Sequence, residues 1–392
     1  MTARPRVLHV TTSDISLATL LGPQLRAFAA AGYDVVTASA PGPWTERLDS
    51  WGIEFHPLQH STRSFAPGRD TRSLAELYGL FRTLRPDIVH THNPKTGVYG
   101  RVAARAARVP AVVNTVHGLY ALPADPWRKR AVVYGMERVA ATCSDAELVQ
   151  NPEDLDVLRR LRIPATRLRL LGNGIDLDRF DAARVPAERV AAVRAEIGAG
   201  PDDVVCGVVG RLVWEKGYRE IFDAATLLAS RAPNVRFVVV GPFEDEKSDA
   251  ITHDDVARVA RDTNTAFLGV REDVEDLYAA MDVFALASYR EGFPRAAMEA
   301  AAMGVPVVAS DVRGCRQVVE HGVTGCLFPV RDARALADAV AALAADGATR
   351  RRMGTAGREK ARREFDQQNV VDITLDVYER LLARRRGTVH AA

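Results

Sequence analysis

Short runs of β-branched residues alternate with helix-length segments along this chain, and the alternation restarts once. The runs Val7–Thr11, Tyr33–Ala38, Ile53–His56, Asp87–Thr91 and Val112–Thr115 read as strands. Helical spacing falls between them at Leu17–Ala31, Ser73–Leu84, Lys95–Ala107 and Pro126–Ala140. Strands joined by helices pair in parallel, because a parallel neighbour requires a long crossover. After Leu168–Leu171, the motif Gly172-Asn173-Gly174-Ile175-Asp176 and a Pro/Ala/Gly-rich stretch to Pro201 interrupt the pattern. It resumes at Val204–Val209, Val235–Val240, Thr265–Leu268, Val283–Ala287, Val305–Val308 and Gly325–Pro329. The expected class is α/β, with two Rossmann-like domains in tandem and a cleft between them. Residues 1–180 and 181–369 form the domains, followed by a terminal helix over 370–392. Ligands of such sheets bind beyond the carboxyl ends of the strands, and clefts between domains are favoured sites.

Bulk properties narrow the function classes. A length of 392 residues suits two domains, and 47% hydrophobic with 26% charged residues is globular. The net charge of +2 is unevenly spread. Through Leu170 there are 22 Lys and Arg against 15 Asp and Glu, a net of +7; the remainder has 30 against 35, a net of −5. A basic first half suits an anionic surface or ligand, or is a solvated face. Nucleic acid is not expected, since the charge is modest and no stacking platform is apparent. Cys143, Cys206, Cys315 and Cys326 lie far apart, a reducing-compartment pattern. Arg4-Pro5-Arg6 runs directly into a strand with no signal-peptide core, and no apolar span approaches about 18 residues. The expected location is cytoplasmic, peripheral to the inner face of the membrane.

Ser288–Asp311 carries the sharpest chemistry. An apolar run ends there in Glu291-Gly292-Phe293-Pro294, and an Ala-rich helix with Glu299 follows. Free amides and the helix dipole at such a start favour an anionic or oxygen-rich ligand; two solvated glutamates on a capped surface helix is the competing reading. Arg211 and Lys216 flank a loop that closes at Gly217, after a strand that ends at Gly210. Together they suit a diphosphate, Arg as a fork and Lys as a point charge. The turn Gly269-Val270-Arg271 ends a third strand. A nucleotide diphosphate-sugar would use all three turns. In the first half, Ser13 and Asp14, Lys95, and His117-Gly118 stand at strand ends. His90 and His92 are read as facing opposite sides of their strand, with His90 structural. A third zinc ligand at sensible spacing is missing, so no metal is expected. Two basic segments, Trp127-Arg128-Lys129-Arg130 and Arg63-Ser64-Phe65-Ala66-Pro67-Gly68-Arg69, suit lipid headgroups or a lipid-linked diphosphate as well as a solvated face.

With these residues in view, nearly the whole chain resembles glycosyltransferase family 4, of the two-domain GT-B fold. Glu291 through Glu299 matches its Glu-(seven residues)-Glu signature, supported by Gly210-Arg211, Lys216-Gly217, Gly172-Asn173-Gly174-Ile175-Asp176 and Phe267-Leu268-Gly269. His90-Thr91-His92-Asn93-Pro94-Lys95-Thr96-Gly97 and Thr115-Val116-His117-Gly118, with the Arg63–Pro67 loop, resemble the capsule and lipid-linked oligosaccharide branch. The resemblance implies metal-free, retaining transfer from a nucleotide sugar, often a UDP-N-acetylhexosamine, to a polyprenyl-diphosphate-linked or other glycan acceptor. It implies that Arg211 and Lys216 hold the diphosphate and that Glu299 takes the ribose. Glu291 and the amides of Gly292, Phe293 and Pro294 would hold the hexose. His117 would lie near the donor sugar on the acceptor side, and no nucleophile is assigned. The last helix of such enzymes often crosses back to the first domain, and the segment 370–392 is placed to do so. Many members carry Gly-Gly where this chain has Ser13-Asp14-Ile15-Ser16. Two other readings remain: an epimerising or hydrolysing nucleotide-sugar enzyme on the same fold, and a non-catalytic nucleotide-sugar-binding partner.

Overall fold

The computed structural model describes residues 4–61, 67–92, 94–122, 125–244 and 247–389. Asn93 and most of the Arg63–Pro67 loop lie outside them. The chain divides into two compact units, Met1–Gly172 with Gln368–Ala392, and Asn173–Gln367.

In the first unit the strands are β1 (Arg6–Ser13), β2 (Asp34–Ala40), β3 (Glu54–Pro57), β4 (Ile88–His92), β5 (Ala111–Val116), β6 (Ala146–Val149) and β7 (Leu168–Leu170). They form a parallel sheet in the order β3-β2-β1-β4-β5-β6-β7. Alternate residues of each strand pack opposite faces. Val7, Val35, Ile88 and Val113 join Leu25 and Phe28 on one side. Leu8, Val10, Val36, Val89 and Val112 meet Leu77, Phe81 and Ala103 on the other. Burial on both faces is why these strands read as continuous apolar runs. The helix Gln367–Val389 contributes Val370, Val371, Val377 and Tyr378 to the first of these cores.

β6 is the strand that the sequence conceals, because Glu147 interrupts its apolar run. Glu147 is fully buried. Arg101 Nη1 donates to its Oε1 at 2.7 Å, and Asn114 Nδ2 to its Oε2 at 2.8 Å. Arg101 also pairs with Glu137 at 2.9 Å. A buried charge is tolerated in a strand when it is both paired and hydrogen-bonded.

The second unit repeats the plan with β8 (Val204–Val209), β9 (Val235–Val240), β10 (Thr265–Phe267), β11 (Val283–Leu286), β12 (Val307–Ser310) and β13 (Gly325–Phe328). The order is β10-β9-β8-β11-β12-β13, again parallel. The division between units falls at Gly172–Asn173, ahead of the expected residue 180. Ile175 explains it: its amide donates to Phe365 O at 2.9 Å and its carbonyl accepts from Gln367 N at 3.1 Å. Ile175 and Phe180 are then buried in the second core. Gly174 permits this approach, since a Cβ there would lie 2.4 Å from Gln367 Cα.

Both sheets reverse their order once, between β1 and β4 and between β8 and β11. Chain connections leave in opposite directions at these points and open a crevice at the strands' carboxyl ends. The chemistry-bearing residues of each unit gather there.

Candidate nucleotide-sugar site

In the second unit the β8/β11 crevice joins Arg211 and Lys216, after β8, to Glu291, after β11. The β8 loop turns through Trp214–Lys216 and closes at Gly217, which has φ of +77°. That left-handed conformation suits glycine, and a Cβ there would meet Ala287 O at 2.0 Å. The loops are stitched together: the Tyr289 amide donates to Glu215 O at 3.0 Å, and Tyr218 Oη donates to Gly210 O at 2.9 Å.

Lys216 Nζ lies 2.6 Å from Glu291 Oε1. The same oxygen accepts from Ser288 Oγ at 2.6 Å. Ser288 is fully buried, and its carbonyl accepts from Ser310 Oγ at 2.5 Å. Glu291 is therefore held from β11, β12 and the β8 loop at once. Arg211 Nη1 pairs with Glu244 at 3.3 Å. Both cations thus rest against carboxylates.

Beyond Glu291, the helix Arg295–Ala302 starts after Pro294. Proline has no N–H, so it cannot donate an amide to a sugar hydroxyl as expected; Gly292 and Phe293 carry the amides of this turn. Phe293 O accepts from Asn173 Nδ2 at 3.1 Å, so the Gly-Asn-Gly motif braces the turn. Glu299 lies one turn into the helix, and Tyr278 Oη donates to its Oε2 at 3.0 Å. Burial pushes the Glu299 carboxyl up, opposed by Arg295 and by that hydrogen bond. Hydrogen bonds to the charged form lower the cost of its burial.

Other expected residues have commitments of their own. Gly269 and Val270 are exposed after β10, Gly269 at φ of +66°. Arg271 forks onto Asp273 with Nε at 2.8 Å and Nη2 at 2.7 Å, while Nη1 donates to Glu196 at 2.7 Å. Its guanidinium thereby braces the turn. Ser288, Tyr278 and Glu244 escape sequence reading: Tyr278 and Glu244 meet partners on distant elements, and Ser288 carries no motif of its own.

In the first unit Ser13 ends β1, and its Oγ lies 3.4 Å from Ser16 Oγ. Asp14 is buried and accepts from the amides of Ile15 at 2.8 Å and Trp44 at 2.7 Å. It closes the β2 loop onto the end of β1. Lys95 Nζ pairs with Asp70 at 2.5 Å. His117 follows β5, with Nδ1 at 3.2 Å from Gln150 Oε1 and Nε2 at 3.1 Å from His92 Nδ1.

His90 and His92 do not face opposite sides. Residues two apart on a strand share a face, and these rings stack with centroids 4.3 Å apart. His9 of β1, in register with His90, joins them. It supplies the third histidine that sequence spacing missed: the three offer one nitrogen each within 4.8 Å of one another. The signal for His9 was a polar residue inside the apolar run Val7–Val10. Burial pushes His9 down to about 3 and His117 to about 4, and lowers His90 and His92 as well. All four rings are neutral at pH 7.

Known proteins share this fold. Residues 191–360 match the family described as Glycosyl transferases group 1, and residues 24–179 match Glycosyltransferase Family 4. The chain is 27% identical to the capsular polysaccharide biosynthesis glycosyltransferase CapM of Staphylococcus aureus, over 97% of this chain and 99% of that protein. It is 30% identical to the Escherichia coli UDP-Gal:alpha-D-GlcNAc-diphosphoundecaprenol alpha-1,3-galactosyltransferase, over 74% of each. The crystal structure of Anabaena HepE in complex with UDP and glucose superposes with a TM-score of 0.80 at 20% identity, covering 96% of this chain and 100% of that one. With two parallel-sheet domains and this set of residues at the second switch point, the chain is a member of glycosyltransferase family 4, of the GT-B fold.

Proposed function

We propose that this glycosyltransferase moves a hexose or N-acetylhexosamine, with retention at the anomeric carbon, from a UDP-sugar to a polyprenyl-diphosphate-linked or other glycan acceptor. The pathway is the building of capsule or another cell-surface polysaccharide. The observation that carries the reading is the grouping of Arg211, Lys216 and Glu291 around one crevice, with Glu299 on the adjoining helix. The diphosphate displaces Glu291 from Lys216 and Glu244 from Arg211. Glu291 is then released to the hexose hydroxyls as the cations engage phosphate. Charge that develops on the departing diphosphate is met by Lys216 and Arg211, the task a metal performs elsewhere, so transfer proceeds without one. Glu299 accepts from the ribose hydroxyls. Ser13, Asp14, Lys95 and His117 belong to the acceptor side; Asp14 acts there by shaping the loop, since its oxygens hold two amides. The names of the relatives support the donor and acceptor classes.

The helix Trp127–Ala141 supports contact with an anionic membrane surface. Trp127 is 71% exposed, Val132 60% and Val139 64%, beside Arg128 and Lys129. Apolar side chains with flanking cations suit a bilayer interface. Among the described residues no helix is long and apolar enough to cross a membrane. Anionic vesicles should retain the protein, and Val132→Asp with Val139→Asp should abolish retention; equal retention by the double variant would remove this helix from the interface.

A thermal-shift screen tests the donor class. UDP-sugars should raise the melting temperature by mass action, with a further rise on adding a polyprenyl-diphosphate sugar. No shift with any nucleotide sugar would contradict the assignment.

A further inference from the structure

The histidines of the first unit form more than a cluster. Thr115 Oγ1 lies 2.7 Å from His90 Nε2, and His90 Nδ1 lies 2.5 Å from Tyr378 Oη. Tyr378 Oη is 3.4 Å from His9 Nε2, and His9 Nδ1 is 3.0 Å from His92 Nε2. His92 Nδ1 reaches His117 Nε2 at 3.1 Å, and His117 Nδ1 reaches Gln150 Oε1 at 3.2 Å. Each ring nitrogen is used once, in one unbroken line from β5 through the helix Gln367–Val389 and back to β6. His9 and His92 are nearly coplanar, tilted by 16°, so their nitrogens point at each other. That is the geometry of an N–H···N hydrogen bond.

A neutral imidazole has one donor and one acceptor nitrogen. A line of them therefore admits two proton orders, all pointing one way or all the other. Any mixed order sets two N–H groups, or two lone pairs, face to face inside the protein, and a buried polar group without its partner is costly. Gln150 selects between the orders by presenting its carbonyl oxygen. His117 then carries its proton on Nδ1, His92 donates from Nδ1 to His117, and His9 donates from Nδ1 to His92. Tyr378 donates to His9 and accepts from His90, which accepts from Thr115.

We propose that Gln150 fixes the proton order of this line and that His117, His92 and His9 are positioning residues that carry it to Tyr378, each held in its Nδ1–H tautomer. A side chain at the end of β6 thus sets the protonation pattern met by the C-terminal helix, through three intervening rings. Its consequence for transfer rests on the reading of His117 as an acceptor-side residue; the proton order itself does not. In this order the Nε2 lone pair of His117 is occupied by His92, so the ring serves as a fixed polar surface and not as a base.

Long-range proton–nitrogen correlation spectra of the full chain with labelled histidine test this at pH 7.5. His9, His92 and His117 are expected as Nδ1–H tautomers. Tyr378→Phe removes only the hydroxyl and leaves Gln150 in place. His117 should then keep its Nδ1–H shifts while those of His90 move, since its Nδ1 has lost its partner. Gln150→Leu, at the opposite end, should move His9. Should Tyr378→Phe fail to fold, that second variant carries the test. A change of tautomer at His117 in Tyr378→Phe, or His9 unchanged in Gln150→Leu, would overturn the proposal. So would shifts of His9, His90 and His92 on adding zinc to the wild-type chain, since the cluster would then be a metal site. The spectra are independent of turnover, so this result stands apart from the transferase reading.

Discussion

Acidification is expected to unfold the first unit well before ordinary carboxylate titration is complete. In the folded chain His9 titrates near 3 and His117 near 4, and His90 and His92 are also lowered, all because burial disfavours the charged ring. In the unfolded chain each titrates near about 6.5. Below that value the unfolded chain binds more protons, so stability is full above it and is lost as pH falls. Each such histidine contributes a slope of about 1.4 kcal/mol per pH unit until its folded value is reached. Between pH 6.5 and 5, His9 and His117 alone remove about 3 kcal/mol, against a total of about 5–15 kcal/mol for a typical domain. Hydrogen exchange of the β1 and β4 amides, corrected for its intrinsic pH dependence, reads this directly. Protection should fall between pH 7.5 and 5, with a shallower slope in His9→Phe, which lacks one of the protons. Protection that stays flat over this range, or an unchanged slope in the variant, would refute the buried-neutral account.

Three further outcomes concern the second unit. Lys216→Ala should lower kcat by about 2–4 kcal/mol of transition-state stabilisation, the range for removing one charge-stabilising donor; near-normal turnover would remove it from the diphosphate site. Glu299→Gln should weaken UDP binding measured by calorimetry, and equal affinity would release it from the ribose. Gly217→Ala should destabilise the unit by about 1–3 kcal/mol from backbone strain, and more if Ala287 cannot retreat; a thermal melt unchanged from wild type would show that the loop does not depend on this conformation.

Much of the fold was legible because buried parallel strands write themselves as apolar runs. β6 was not, since Glu147 breaks its run and the compensating Arg101 lies on the helix Pro94–Ala106. Strand order was not legible either, and it brings Lys216 to Glu291 across 75 residues. The pattern around Glu291 and Glu299 pointed to a ligand site, but Ser288 and Tyr278, which hold these carboxylates, have no signature of their own. Pro294 shows the reverse failure: it fits the motif, yet lacks the donor assigned to it. The histidine line was half visible. Two members share a motif, but their common face requires the period of a strand, and His9 enters only through register with β4.

The reaction can be followed on its product. The chain, a UDP-sugar and a polyprenyl-diphosphate-linked acceptor sugar, incubated with a chelator, should yield a lengthened glycan whose new linkage keeps the α configuration of the donor in the NMR spectrum. Free sugar or an epimer without transfer, an inverted linkage, or turnover only when a divalent metal is restored would contradict the account.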